Sequence, residues 1–327
     1  GITGQSVAFF GIATFCAFLT GNAFALPALY FLLNFLAPLG DWLCNLFARG
    51  FLFGFTSSYS GSVDFLCPVL YLLRIYADSE YVTVRDSAMD YHSELSAVSL
   101  ANAWYIAAYA AVGLLLLALA YLLYRRRESE RAGDVVAVRC FRPVFRFGVA
   151  ALSALLGGRL LYALLWESFQ VGDTFSPVPM AIFLIIAGLI GYYAASMLLA
   201  KSLRVFRGSA VGALCLAAAC IAFCAGMRYD LFGIERRIPD GSEIAQLELY
   251  VANNTYYLTP EDQPELLAGA QELQRTLIDQ KFLIESNYET YRHGSTSSDP
   301  DVYANIRYIY TLKSGAAVER FYTVAFA

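Results

Sequence analysis

The chain has 327 residues, 58% of them hydrophobic and only 15% charged, with a mean hydropathy of +0.52. An average soluble domain carries about 25% charged and 45–50% apolar residues. A single water-soluble globule is therefore excluded, and the long uninterrupted apolar blocks exclude disorder, collagen-like repeats and coiled coil. The formal charge of −4 shows no basic excess that would suit a nucleic-acid partner.

A bilayer core about 30 Å thick is crossed by about 20 apolar residues, and six segments come near that length. Each must be helical, because hydrocarbon offers the backbone no other hydrogen-bond partner. The first runs from residue 6 to about residue 20 without a charge. The second, 26–55, contains Pro38, Gly40, Asp41 and Arg49. It is too long for one upright helix and reads as a tilted span or as a span plus an interfacial turn. Asp41 is either functional, as membrane carboxylates tend to be, or an interface-level residue beside Gly40.

Residues 56–100 are too many for a structureless loop. Their apolar centre, 63–76, is interrupted by Pro68 and reads as an interfacial or re-entrant helix; the more polar 81–100 reads as a second segment on the same side. The third span, 101–124, is the cleanest. A basic linker, 125–143, leads to spans at 144–165, 178–200 and 209–227. Arg159 is the one basic residue well inside a span, six residues from its end, and is expected to snorkel outward.

Sidedness follows from the charges. Of the 14 Lys and Arg in residues 1–227, ten lie in two short connections: Arg125, Arg126, Arg127, Arg131, Arg139, Arg142 and Arg146 in one, Lys201, Arg204 and Arg207 in the other. The positive-inside rule assigns both to the cytoplasm, with the arginines and lysine anchoring the helix ends. The opposite connections agree. Residues 56–100 hold six acids against Arg74 and Arg85, and 166–177 holds Glu167 and Asp173 with no base. The sixth span then exits outward, so residues 228–327 are expected to be extracytoplasmic.

Those last hundred residues carry 15 acids and 9 bases. The run 246–251 alternates like a strand, 264–284 has the spacing of one helical face, and 305–312 with 318–324 flank Lys313-Ser-Gly-Ala as a hairpin. A small α+β domain of order β-α-β-β is predicted, with 291–300 as a loop. Its many tyrosines read as strand-face filling. The cluster His293, Ser295 and Asp299 has no triad spacing and reads as a turn.

Seven cysteines, none at C-x-x-C spacing and none in the last hundred residues, make neither a disulfide framework nor a metal site. There is no P-loop, H-E-x-x-H or dinucleotide fingerprint. The chain is thus expected to be no enzyme and to hold no cofactor. It begins at Gly1 with no basic-flanked signal peptide, which reads as the loss of an N-terminal part.

The string Tyr121-Leu-Leu-Tyr-Arg-Arg-Arg-Glu-Ser-Glu-Arg-Ala-Gly133, at the end of the third span, resembles the end of the last span in permease subunits of type-2 ABC exporters from Firmicutes. The run Asn22-Ala-Phe-Ala-Leu-Pro-Ala-Leu-Tyr-Phe and the outer FLCPVLYLL are similar to the preceding spans and re-entrant segment of such permeases. The opening Arg142-Pro-Val-Phe-Arg-Phe-Gly148 and the entry Tyr229-Asp-Leu-Phe-Gly-Ile-Glu-Arg-Arg-Ile-Pro239 resemble a subgroup with three added spans and a C-terminal domain of unknown function.

The resemblance implies a polytopic α-helical protein of about six spans in a Gram-positive plasma membrane, followed by the α+β domain. It implies the permease part of an exporter, a homo- or heterodimer whose ATP is bound and hydrolysed by a separate ATPase subunit. The expected organisation is three spans in 1–124 with the outer segment 56–100, the linker 125–143, three spans in 144–227 and the domain 228–327. The rival expectation is a non-transporting receptor or assembly protein whose extracytoplasmic domain binds a ligand or partner.

Overall fold

The structure, a computed structural model, describes residues 2–20, 22–23, 25–56, 63–85, 91–125, 136, 141–169, 174–206, 208–251, 254–294 and 303–325. It is mostly helical, with six helices long and apolar enough to cross a membrane and a small C-terminal sheet region. The chain divides into two compact units, Gly1–Trp42 with Gly61–Phe145, and Leu43–Ser60 with Arg146–Ala327.

In the first unit, α1 (Ile2–Leu19) packs along α4 (Trp104–Arg125). Gly4 meets Ile106, Gly11 meets Gly113, and the rings of Phe18 and Tyr124 lie 5.6 Å apart. Residue numbers rise together on both helices, so the two run parallel. The heptad-spaced glycines bring backbone onto backbone: a Cβ at Gly113 would sit 2.7 Å from the Ala8 Cα. Helices that share an apolar solvent gain most from such close approach, which small residues permit. Between the two members of this parallel pair the described residues hold one long helix.

That helix is α2 (Ala25–Phe51), 27 residues with Pro38 inside it. It is a single helix, unbroken at the Pro38-Leu-Gly-Asp segment. At 1.5 Å per residue it is about 40 Å long, more than the roughly 30 Å of a bilayer's hydrocarbon core. Its first part belongs to the first unit and its last turns, from Leu43, to the second.

The connection to α4 differs from the single interfacial or re-entrant helix expected over 63–76. It holds a 3₁₀ turn, Asp64–Leu66, and a five-residue helix, α3 (Pro68–Leu72). Pro68 opens α3 at its first turn after an extended Cys67, so the apolar run is split into two short pieces. The more polar stretch beyond is an antiparallel hairpin, β1 (Tyr76–Arg85) with β2 (Tyr91–Ala101). Its strand signal is the β-branched alternation Tyr81-Val-Thr-Val.

The second unit takes up α5 (Phe141–Leu152) from Arg146 on, and α5, a π-helical turn Ser153–Gly157 and α6 (Gly158–Leu165) form one membrane-length run. The run packs on α7 (Pro177–Ala200), which also contacts α8 (Ala210–Arg228). The π turn faces α7: Ser153 Oγ donates to the Ala187 carbonyl at 2.8 Å, and a Cβ on Gly158 would lie 2.8 Å from the Leu184 Cα. Lys201 caps α7 in the left-handed conformation.

After α8 come β3 (Ile244–Val251), β4 (Asn254–Leu258), α9 (Pro264–Asp279), α10 (Lys281–Gly294), β5 (Tyr303–Leu312) and β6 (Ala317–Ala325). The strands form an antiparallel sheet of order β4-β3-β5-β6, with Gly315 at positive φ in the last hairpin turn. The expected β-α-β-β gains a strand, β4, paired to β3 across a short loop, and a second helix, α10, that runs into the expected loop as far as Gly294. Residues 295–302, with Ser295 and Asp299, lie outside the described residues.

The core of this domain joins Ile244, Leu247, Ile306, Tyr308, Tyr310 and Tyr322 of the sheet to Leu267, Ala270, Leu277 and Ile278 of α9. Gln274 is fully buried among them. Its amide donates to the Tyr322 hydroxyl at 3.1 Å and accepts from the Tyr310 hydroxyl at 2.6 Å, so both of its polar ends are satisfied.

Candidate functional site

The last residues of α2 and the chain just beyond them are built into the C-terminal domain. Phe53 is a member of its core, with its ring centroid 5.2 Å from that of Tyr322. Gly54 and Phe55 lie along the outer strand: Phe55 bridges Arg320, and the Phe321 N–H donates to the Gly54 carbonyl at 3.0 Å. β6 would otherwise be an open sheet edge, and this short segment covers part of it. Gly54 has φ +72 and sits against the Tyr322 ring, leaving no room for a side chain.

Buried charge locks the same joint. Lys281 Nζ donates to Glu235 Oε2 at 2.7 Å and to the Arg228 carbonyl at 3.1 Å, while Glu235 Oε1 accepts the Phe53 N–H at 2.8 Å. Glu235 is 3% exposed and Lys281 7%. Arg228, at the end of α8, forms a two-pronged ion pair with Glu285 of α10. The chain reaches Glu235 through a tight turn with Asp230 and Gly233 at positive φ. There the Asp230 carboxylate accepts the N–H groups of Ile234 and Glu235.

Arg320 donates to the Ile234 carbonyl at 2.9 Å under the Phe55 ring. Burial pulls its guanidinium below the ordinary value, and the neighbouring Tyr322, Asp230 and Glu235 oppose that pull. Four parts distant in sequence are thus held together: the end of α2, the end of α8, the start of α10 and strand β6. Glu235, Lys281, Arg228, Glu285 and Arg320 are each tied to a group on another part of the chain.

Beside the joint lies a cleft of about 580 Å³ with a mixed lining that includes Phe55, Ile238, Val318, Arg237, Asp240 and Glu243. At the same end of this unit the Phe175 N–H donates to the Gly50 carbonyl at 2.6 Å, and the Phe175 ring packs edge-on to Phe51. The end of α2, the connection before α7 and the C-terminal domain therefore meet at one end of the second unit.

The residues singled out from sequence do not gather into one site. Arg125 ends α4 and is exposed, and Lys201 and Arg204 are exposed after α7. Arg126, Arg127, Arg131 and Arg207 lie outside the described residues. Asp41 is half-buried within α2. Arg159 has a partner in Glu167, with which it forms a two-pronged pair at 3.0 and 3.1 Å, its guanidinium 5.0 Å from the Phe175 ring centroid. The joint was not anticipated. Its only local trace is the dense aromatic run Phe51-Leu-Phe-Gly-Phe55, which reads equally well as the end of a span.

Among the described residues, no group of three or more His, Cys, Asp or Glu is placed to hold a metal ion. No known protein family matches the chain, and no curated protein and no solved structure shows significant similarity to it.

Proposed function

We propose that this chain is the membrane permease part of an ABC exporter, multi-pass in the plasma membrane and driven by a separate ATPase subunit. The observation that carries the membrane reading is the meeting of three segments at one end of the second unit. Residues 50–55, the connection before α7 and the domain after α8 are the parts that the charge asymmetry independently sends outward. The parallel α1 and α4, separated by one long helix, fit the same threading.

The exporter reading rests in addition on the strings at 22–31, 121–133, 142–148 and 229–239. In it, α1, α2 and α4 contribute to the substrate path at a dimer interface, and Arg125–Arg127 with Arg131 anchor its inner end. Arg159 and Glu167 sit at the outer end, and Asp41 is a polar position within α2. The C-terminal domain grips the outer end of α2, so a change in α2 is felt by the domain and the reverse.

The receptor alternative is favoured by one observation, the cleft beside the joint, which would let a bound ligand act on α2 directly. Purification of the full-length protein in mild detergent separates the two. A stoichiometric P-loop protein in the preparation supports the exporter. A folded preparation without one, together with a ligand for the C-terminal domain, supports the receptor.

A further inference from the structure

The hairpin between α3 and α4 is amphipathic in a way that its sequence hides. Register pairs Glu80 with Ala97 and then Tyr81 with Leu95, leaving Ser96 as an extra residue in β2. A bulge of one residue flips every later side chain to the opposite face. Without it, Leu95 would share a face with Ala97 and Ser99. With it, Leu95 joins Val98 and Leu100, and all three are 54–60% exposed. Asp78 and its cross-strand partner Ser99 lie on the other face. A two-stranded hairpin is marginal alone in water, so an exposed apolar face along it calls for something to rest on.

The base of the hairpin fixes its level. Tyr109 Oη donates to the Phe65 carbonyl at 2.6 Å, the Tyr71 and Tyr105 hydroxyls are 3.2 Å apart, and Asn102 donates to the Arg74 carbonyl at 3.3 Å. The short segment before the hairpin is thereby pinned to the first turns of α4. Tyr109 lies about 7.5 Å below the start of that helix at 1.5 Å per residue, within the depth of about 5–10 Å at which amphipathic elements settle in an interface. Phe65, held at that level, is itself exposed, and so is Trp104 at the helix start, where aromatic belts form. Asp64, which is buried, is neutralised by Arg74 at 2.6 Å.

We infer that the apolar face of the β1–β2 hairpin lies on the outer leaflet of the bilayer as an interfacial strand pair, continuous with the lipid-facing surface of α4. The inference rests on the membrane reading above. Residues 63–101 carry Asp64, Asp78, Glu80, Asp86, Asp90 and Glu94 against Arg74 and Arg85. Two copies meeting through this region would bring like charges together, and anionic headgroups would be repelled. The occupant that fits is therefore a zwitterionic lipid surface engaged through apolar burial.

The test uses the full chain in phosphatidylcholine nanodiscs, with a benzophenone amino acid replacing, one at a time, Leu95, Ala97, Val98, Ser99 and Leu100, and Leu115 of α4 as a reference. After irradiation, intact mass identifies the adduct. Lipid adducts several-fold more abundant at Leu95, Val98 and Leu100 than at Ala97 and Ser99, and not increased when anionic lipid is added, are expected. Equal labelling of both faces, or a two-chain adduct at Val98, overturns the inference while leaving the membrane reading intact if Leu115 takes up lipid. A Leu115 site without a lipid adduct overturns the membrane reading itself, and the inference with it.

Discussion

Phe53 belongs by sequence to the end of α2, yet its side chain sits in the core of a domain formed by residues 244–325. Replacing it with alanine removes an aromatic ring that is 8% exposed and packed against Tyr322. Core Phe→Ala substitutions cost about 3–5 kcal/mol, the lost transfer energy plus the cavity left behind. At 1.4 kcal/mol per tenfold, that is a factor of roughly 10² to 10³·⁵ in the opening equilibrium of the domain. Hydrogen exchange with mass spectrometry on the full chain in detergent reads it directly: amides of β3 and β5 that exchange through domain opening speed up by that factor. The same readout for Phe10→Ala, at an exposed position on α1, leaves the domain unchanged. Unaltered protection of β3 and β5 in the Phe53→Ala chain would refute the placement of Phe53 in this core.

The Glu235–Lys281 pair offers a cycle with a distinctive signature. Glu235→Leu or Lys281→Met alone strands a buried charge and costs about 3–5 kcal/mol, whereas the double substitution falls close to the wild type; the same exchange experiment measures all three. Gly113→Val would place side-chain atoms onto the Ala8 backbone and force α1 from α4. A disulfide engineered between Phe18→Cys and Tyr124→Cys forms in the parent and is lost in that variant. Burial raises the phenol pKa of Tyr308, Tyr310 and Tyr322 in the fold. The unfolded chain then loses these protons first, so their contribution is intact below about pH 10 and falls as pH rises above it. Ultraviolet titration of the full chain should show late-ionising tyrosines that titrate together with the exchange protection of β5 and β6.

The six long helices were legible because hydrocarbon demands about 20 apolar residues in a row, and such a run has few other uses. The last hairpin was legible through Lys313-Ser-Gly-Ala between two alternating segments. The α2 helix was ambiguous because Pro38 signals a break in water-soluble proteins but is tolerated in a long apolar helix. β4 escaped because five residues, Asn254–Leu258, carry too little alternation to stand out. The first hairpin escaped because its bulge offsets the period-two pattern halfway along β2. The joint around Glu235 left only the aromatic run 51–55 as a trace, since its members come from parts of the chain some 270 residues apart and each looks ordinary in its own neighbourhood. Of the candidate site residues, Arg159 was read alone, and its pair with Glu167 was not legible because the acid lies beyond the end of the apolar run.

The covering of β6 by Gly54–Phe55 sets an order of events during biosynthesis. Phe53 leaves the ribosome about 270 residues before Tyr322, an interval of roughly 15–50 s at 5–20 residues per second. Throughout that interval the aromatic segment after α2 has no sheet to join. Once β6 is made, its edge in turn lacks a cover unless α2 is already in place. The two halves therefore guard one another only once β6 has been synthesised. A chain stalled between them would present the orphan aromatic segment, and a chain cut between them would present a bare strand as well.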